Sequence, residues 1–161
     1  MWDFIRFALL FILVGLLVTA AIGDVRRYII PNWLCLAVAL LALPYLYSTF
    51  AASGVALWPA LGLQAGMAAL VFVLFAALFA AGVMGGGDVK LMAALALWTP
   101  GRQVFDLMLL VAVFGGLVAL GVVVARRLRK HDGENAVPYG VAIAAGGIAL
   151  TIQPIVNVFG G

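Results

Sequence analysis

Apolar residues run through this chain in long blocks separated by short polar interruptions. Unbroken apolarity on that scale predicts membrane-crossing helices rather than the two-faced elements of a soluble domain. Blocks over residues 4–23, 33–50, 55–84, 104–125 and 137–159 each approach or exceed the roughly 20 residues that one helical crossing requires. A further block, residues 88–99, is halted by Pro100-Gly101 after twelve residues. At 1.5 Å per residue it reaches about 18 Å, well short of a hydrocarbon core of about 30 Å. Its start must therefore be sunk into the membrane or meet a thinned bilayer, with water close by. The interruption at residues 24–32 is polar and closes on Pro31-Asn32, a pair suited to opening the next helix. Within 55–84, Gly62 and Gly66 stand four apart, a spacing that permits close helix contact.

One position departs from this pattern. The sixty residues from Tyr28 to Gly87 contain no Asp, Glu, Lys, Arg or His, and Asp88 ends that run directly after Gly85-Gly86-Gly87. An ionisable group at membrane depth is costly and is retained for function. Three glycines in a row expose backbone, which lipid tolerates only where protein or water covers it, and they allow a second backbone to come close.

Composition agrees with the pattern: 67% of the residues are hydrophobic and 9% charged, far from the balance of soluble domains. The expected fold class is all-α, a single polytopic membrane unit over residues 1–161 with about six transmembrane helices and no separate soluble domain. The arginine pair Arg26-Arg27 follows the first apolar block, whereas a signal peptide carries its positive end before it, so residues 4–23 are read as a retained span. The lone Cys35 excludes a disulfide framework and a cysteine-based zinc site, and reads as a small packing residue. The net charge of +3 is few and clustered, which marks loop charge rather than a nucleic-acid surface.

Charge also sets orientation. In the six-span topology Arg26, Arg27, Lys90, Arg126, Arg127, Arg129 and Lys130 fall on one side and only Arg6 and Arg102 on the other. The first side is then cytoplasmic. Asp24 and Asp88 both fall on it, each at the cytoplasmic end of an apolar block.

Paired carboxylates have a specific use. Two acids a few ångströms apart do not both ionise, so one proton is shared and the pair offers an acid and a base in one place. Such a pair can activate water and protonate an amide carbonyl. His131 is the only histidine and Cys35 the only cysteine, so no Ser–His or Cys–His partnership and no metal-ligand set is visible.

These residues resemble a known family. Gly85-Gly86-Gly87-Asp88 matches the GxGD motif of intramembrane aspartic proteases. The stretch Gly23-Asp24-Val25-Arg26-Arg27-Tyr28-Ile29-Ile30-Pro31-Asn32 resembles the first aspartate motif of type IV prepilin peptidases. Asp88-Val89-Lys90-Leu91 some sixty residues later and Val137-Pro138-Tyr139-Gly140 before the last block also resemble that family.

The resemblance implies an aspartic endopeptidase that removes the basic cytoplasmic leader of prepilins or pseudopilins after a glycine, with Asp24 and Asp88 as the catalytic pair. Gly85, Gly86 and Gly87 would let the substrate backbone approach, Lys90 would stand at the start of the catalytic helix and bind substrate, and Pro138, Tyr139 and Gly140 would line the substrate site. Larger members of the family carry a cytoplasmic segment with two cysteine pairs and also N-methylate the new pilin terminus. That segment is not in this sequence, so the chain resembles the short form associated with Tad/Flp pili, and methylation is not expected of it. The expected surroundings are the cytoplasmic (inner) membrane and its lipid, with no metal, cofactor or nucleic acid. The oligomeric state is left open.

Other readings of the same residues exist. Asp24 could end its span by pairing with Arg26 or Arg27, and Asp88 could cap its helix. The basic run from Arg126 to Lys130 reads as a topology signal, Asp132 and Glu134 as a solvated loop, and Gln64 as a helix-packing group. A proton-coupled transporter would use Asp24 and Asp88 to bind and release protons, but such proteins often show matched broken helices in two halves.

Overall fold

The computed structural model of the protein describes residues 2–129 and 138–159. The segment carrying Lys130, His131, Asp132, Glu134 and Val137 lies outside the described residues, as do the side chains of Arg126 and Arg129. Among the described residues six helices follow in chain order: α1 (Trp2–Arg27), α2 (Asn32–Ser53), α3 (Leu57–Ala80), α4 (Gly86–Ala96), α5 (Gln103–Arg129) and α6 (Tyr139–Phe159). Among the described residues there is no strand. Four of the helices, α1, α2, α3 and α5, have the length and apolarity to cross a bilayer. The protein is an all-α polytopic membrane protein.

The short helix lies at the centre. Leu91, Met92, Ala94, Leu95 and Ala96 of α4 are buried, and the helix packs against α3, α2 and α6. Around it α6 packs on α5 and α1, and α1 on α2. Leu10, Leu13, Leu17 and Ala20 bring α1 into this core, so the first apolar block is built into the bundle. Outward faces remain apolar, with Phe11, Leu40, Leu70 and Leu109 all exposed. In water such a surface would aggregate; against lipid tails it is the expected exterior.

Glycine sets how closely α6 approaches. A Cβ at Gly147 would stand 2.9 Å from Leu17 Cδ1 and 3.1 Å from Leu95 Cδ1, and one at Gly146 would stand 2.8 Å from Val111 Cγ2. The Gly146-Gly147 pair thus lets α6 nest against α1, α4 and α5 at once, the small-residue packing typical of membrane helices.

Helix ends differ from the apolar blocks in ways with physical causes. The third block extends to residue 84, but α3 stops at Ala80. Gly82 takes a left-handed φ of 73°, and its N–H and that of Val83 return to the carbonyls of Phe79 and Leu78 at 2.9 and 3.0 Å. This is a Schellman closure, which ends a helix whatever the hydropathy of the residues that follow. At the second block the deviation is the other way, and α2 continues to Ser53 before Gly54 turns left-handed. α1 likewise continues past residue 23 to Arg27, which places Asp24 inside the helix and not in the connection.

The far end of α4 is closed by a residue from another helix. Gln64 of α3 is buried, and its Nε2 donates to the carbonyls of Ala96 and, at 3.1 Å, Thr99. Ala96 is the last residue of α4 and Thr99 lies in the bend that follows it, and Ala96 O also accepts from Thr99 Oγ1 at 3.1 Å. Trp98 Nε1 donates to Val38 O at 2.9 Å, and its ring packs on Tyr45 with centroids 5.0 Å apart. Gln64→Leu is expected to cost about 1–3 kcal/mol, because the buried Thr99 carbonyl loses the Gln64 donor and the Ala96 carbonyl loses one of its donors. Thermal unfolding of the detergent-solubilised protein measures it, and an unchanged midpoint would show that α4 does not depend on this cap.

Candidate functional site

One chain reversal and two helix starts meet at one end of the bundle, and each brings a candidate residue. Pro31 fixes its own backbone and restricts Ile30 to extended conformations, so α1 cannot run into α2. The connection turns at Tyr28, whose φ of 51° is the one positive value on a non-glycine among the described residues. Tyr28 N–H returns to the Asp24 carbonyl at 2.8 Å. A bulky side chain in the left-handed region is uncommon and is found where surrounding structure holds it, often beside functional groups.

Opposite this reversal α4 begins. Gly85 precedes the helix with extended backbone, and Asp88 stands at the third helical position. Its Oδ2 accepts from Gly85 N–H at 3.1 Å, the returning half of a capping box. Asp88 is therefore not the N-cap itself. A side chain at Gly85 would crowd this bond, since a Cβ there would lie 3.1 Å from Asp88 Oδ2.

The third contributor is the start of α6. The backbone N–H groups of Gly140 and Val141 face the Asp24 carboxylate, so the N-terminus of α6 is turned toward it, while the Val141 N–H also returns to Pro138 O at 3.2 Å. The approach is close: a Cβ on Gly140 would lie 2.8 Å from Asp24 Oδ2 and 2.8 Å from Ile30 Cδ1.

Between these parts is a cleft of about 190 Å³, with Gly85 to Asp88 on one wall and Asp24, Tyr28, Ile29 and Ile30 on the other. Asp24 and Asp88 are 5% and 7% exposed, and Asp88 lies close enough to Asp24 to feel its charge. Asp24 Oδ2 and Asp88 Oδ1 are buried without a hydrogen-bond partner among the described residues. A buried unpaired carboxyl oxygen is costly and uncommon outside functional sites. Two of them in one cleft can hold a proton and a water between them. Among the described residues no group of three His, Cys, Asp or Glu side chains comes together.

The residues singled out from the sequence do not all converge. Asp24, Asp88, Gly85, Gly86 and Gly87 line the cleft, and Gly140 touches it through Asp24. Lys90 is exposed and turned toward α2, where its Nζ donates to Asn32 Oδ1 at 2.8 Å. Tyr139 lines a separate apolar cavity of about 410 Å³ between α3 and α5, and Pro138 is half-buried at the start of α6. The glycines also divide. A Cβ on Gly87 would meet Ile30 Cβ at 3.0 Å and Ile30 O at 3.2 Å, so the close approach there is made by the chain's own connection. A Cβ on Gly86 would rest on the Phe79 ring at an ordinary 3.5 Å.

Ile30 and Tyr28 had no assigned role in the sequence, and Asn32 was read only as opening the next helix. The signal for Ile30 was the Ile-Pro step, which forces an extended residue immediately beside an aspartate-bearing helix end.

Comparison with known proteins follows the same residues. A profile described as the type IV leader peptidase family matches residues 11–120, more than half of the chain. The chain is 32% identical over 140 residues to a prepilin leader peptidase/N-methyltransferase of Pectobacterium carotovorum subsp. carotovorum, covering 85% of this chain and 48% of that protein. It is 28% identical over 137 residues to a prepilin leader peptidase/N-methyltransferase of Bacillus subtilis (strain 168), covering 85% of this chain and 52% of that protein. The chain spans about half the length of these curated relatives. No solved structure gives a significant match. Because the family match runs from within α1 into α5 and so takes in both carboxylates of the cleft, the chain belongs to the type IV leader peptidase family.

Proposed function

We infer that this chain is a membrane aspartic endopeptidase that cleaves the basic leader of type IV, Flp-like prepilins or pseudopilins after a glycine, at the cytoplasmic face of the inner membrane. The observation that carries the reading is the shared cleft of Asp24 and Asp88, each with a buried, unpartnered oxygen. The pair holds one proton. The ionised carboxyl takes a proton from water as its oxygen attacks the scissile carbonyl carbon, and the protonated carboxyl gives its proton to the carbonyl oxygen. The tetrahedral intermediate then collapses: its C–N bond breaks, the carboxyl that took the water proton gives a proton to the departing nitrogen, one hydroxyl of the intermediate returns its proton to the other carboxyl, and a new carboxyl, a new amine and the singly protonated pair result. Gly85 and Gly86 leave the wall beside Asp88 without side chains, which gives an extended substrate backbone room to lie alongside.

A proton-coupled transporter has less support. It calls for matched broken helices, and the family is one of leader peptidases.

The test is co-expression with a Flp-type prepilin, read by gel shift and mass spectrometry. Cleavage directly after the leader glycine supports the reading; intact prepilin beside well-inserted protein counts against it. The same spectra report methylation, and a mature terminus without an added methyl group is expected. EDTA is expected to leave the rate unchanged, because the scheme uses carboxyls alone; a loss restored by a divalent cation would replace it with a metal mechanism.

A further inference from the structure

Lys90 lies close to the carboxyl pair without entering the cleft. Standing two residues beyond Asp88, it projects from a different face of α4, and its ammonium donates to Asn32 Oδ1 at 2.8 Å, a contact between residues 58 positions apart. Asn32 is the first residue of α2, directly after the connection that lines the cleft. One turn further along α2, Cys35 Sγ meets the Gly87 carbonyl at 3.7 Å. The first turn of α2 is thereby fastened to the first turn of α4 at two points.

What these points hold down is Ile30. Its backbone and Cβ lie where a side chain on Gly87 would be, and its Cδ1 lies where a side chain on Gly140 would be. Ile30 is therefore wedged between the helix that carries Asp88 and the helix start that seats Asp24. The left-handed turn at Tyr28, just upstream, is a conformation that this residue type adopts only when something outside the turn imposes it.

Taking the reading of Asp24 and Asp88 as the reacting pair, we propose that Lys90 is a positioning residue that, through Asn32, clamps the α1–α2 connection over Gly87 and so sets the separation of the two carboxyls. A lysine suits the task because its stem reaches along the helix surface while its ammonium bonds a neutral amide at the polar edge. The resemblance alone would place Lys90 on the substrate; the geometry places it on the scaffold.

The full-length protein in lipid vesicles tests this with two readouts. The first is cleavage of a Flp-type prepilin by wild type, Lys90→Met, Asn32→Leu, the double variant and Asn32→Asp. Each single removal is expected to lower kcat about tenfold with KM little changed, since a small misplacement of reacting groups acts on the chemical step. The double variant should be no worse than either single one, and Asn32→Asp, which still offers an acceptor oxygen, should stay near wild type.

The second readout does not depend on peptidase activity. Cys35 is the sole cysteine and is 6% exposed, on the wall of the groove that Asn32 and Lys90 also line. Releasing the clamp should speed its labelling by a maleimide about tenfold in Lys90→Met and Asn32→Leu, as local opening exposes it. A raised KM with unchanged kcat and unchanged labelling would overturn the proposal and return Lys90 to the substrate. Additive losses in the double variant would also overturn it, because the two side chains would then act separately. If wild type cleaves no prepilin while labelling rises as expected, the peptidase reading fails and the Lys90–Asn32 clamp stands. Unchanged labelling with normal wild-type cleavage overturns the clamp and leaves the peptidase reading intact.

Discussion

Asp24→Asn and Asp88→Asn are each expected to reduce prepilin cleavage by a factor of about 10³ or more, in the upper part of the range for loss of a positioned acid or base. In the proposed mechanism either exchange removes one half of a pair whose two members must differ in protonation. The protein should remain folded. An asparagine oxygen at position 88 can still accept from Gly85 N–H, and one at position 24 can still face the N–H groups of Gly140 and Val141. The side-chain NH₂ would replace the unpartnered carboxyl oxygen, so no existing hydrogen bond has to be given up. Mass spectrometry of co-expressed prepilin measures the loss, and thermal unfolding of the same preparations separates it from collapse. Near-wild-type cleavage by either variant would mean that the pair does not perform the reaction.

The next largest effect is expected from one methyl group. Gly140→Ala places a carbon 2.8 Å from Asp24 Oδ2 and 2.9 Å from its Cγ, a contact that cannot persist. The carboxyl or the start of α6 must move, and Ile30 Cδ1, also 2.8 Å away, blocks one route of relief. A displacement approaching 1 Å costs on the order of 10²-fold in rate. The comparison is Gly66→Ala on α3, where nothing stands within 4 Å of the added carbon. That variant should keep wild-type activity and gain slightly in helix propensity. Measured side by side, kcat/KM for Gly140→Ala close to the Gly66→Ala value would show that α6 does not seat Asp24.

These two predictions rest on features that differ in how far the sequence discloses them. Asp88 was legible because it breaks a long uncharged run directly after three glycines, and a carboxylate in that setting has few explanations. Asp24 was legible through its neighbours, the arginine pair and the Ile-Pro-Asn step. Gly140 stood out only by resemblance and was read as lining a substrate site. The structure gives its absent side chain to Asp24, which no local pattern encodes. Lys90 shows the same limit. Its helical position excludes a shared face with Asp88, yet nothing in the chain near residue 90 points to Asn32. Tyr139 was read with the site and lies in a different, apolar cavity. Side chains at successive helical positions point about 100° apart, so membership of one motif does not place neighbours in one cleft.

By itself the sequence determined the class and the shortness of α4 and singled out the two acids that line the cleft, because apolar run length and the cost of charge in lipid are properties of local composition. Helix ends were determined less well, since Gly82 closes α3 by backbone geometry inside a stretch that stays apolar throughout. Tertiary structure alone decided that α4 would be the buried centre with Gln64 closing its end, that α6 would present its first N–H groups to Asp24, and that Ile30 would be wedged between Gly87 and Gly140. The physical reason is common to all three. Each depends on backbone groups or missing side chains meeting across long stretches of chain, and close approach of that kind is a matter of packing distance, on which hydrophobic pattern is silent.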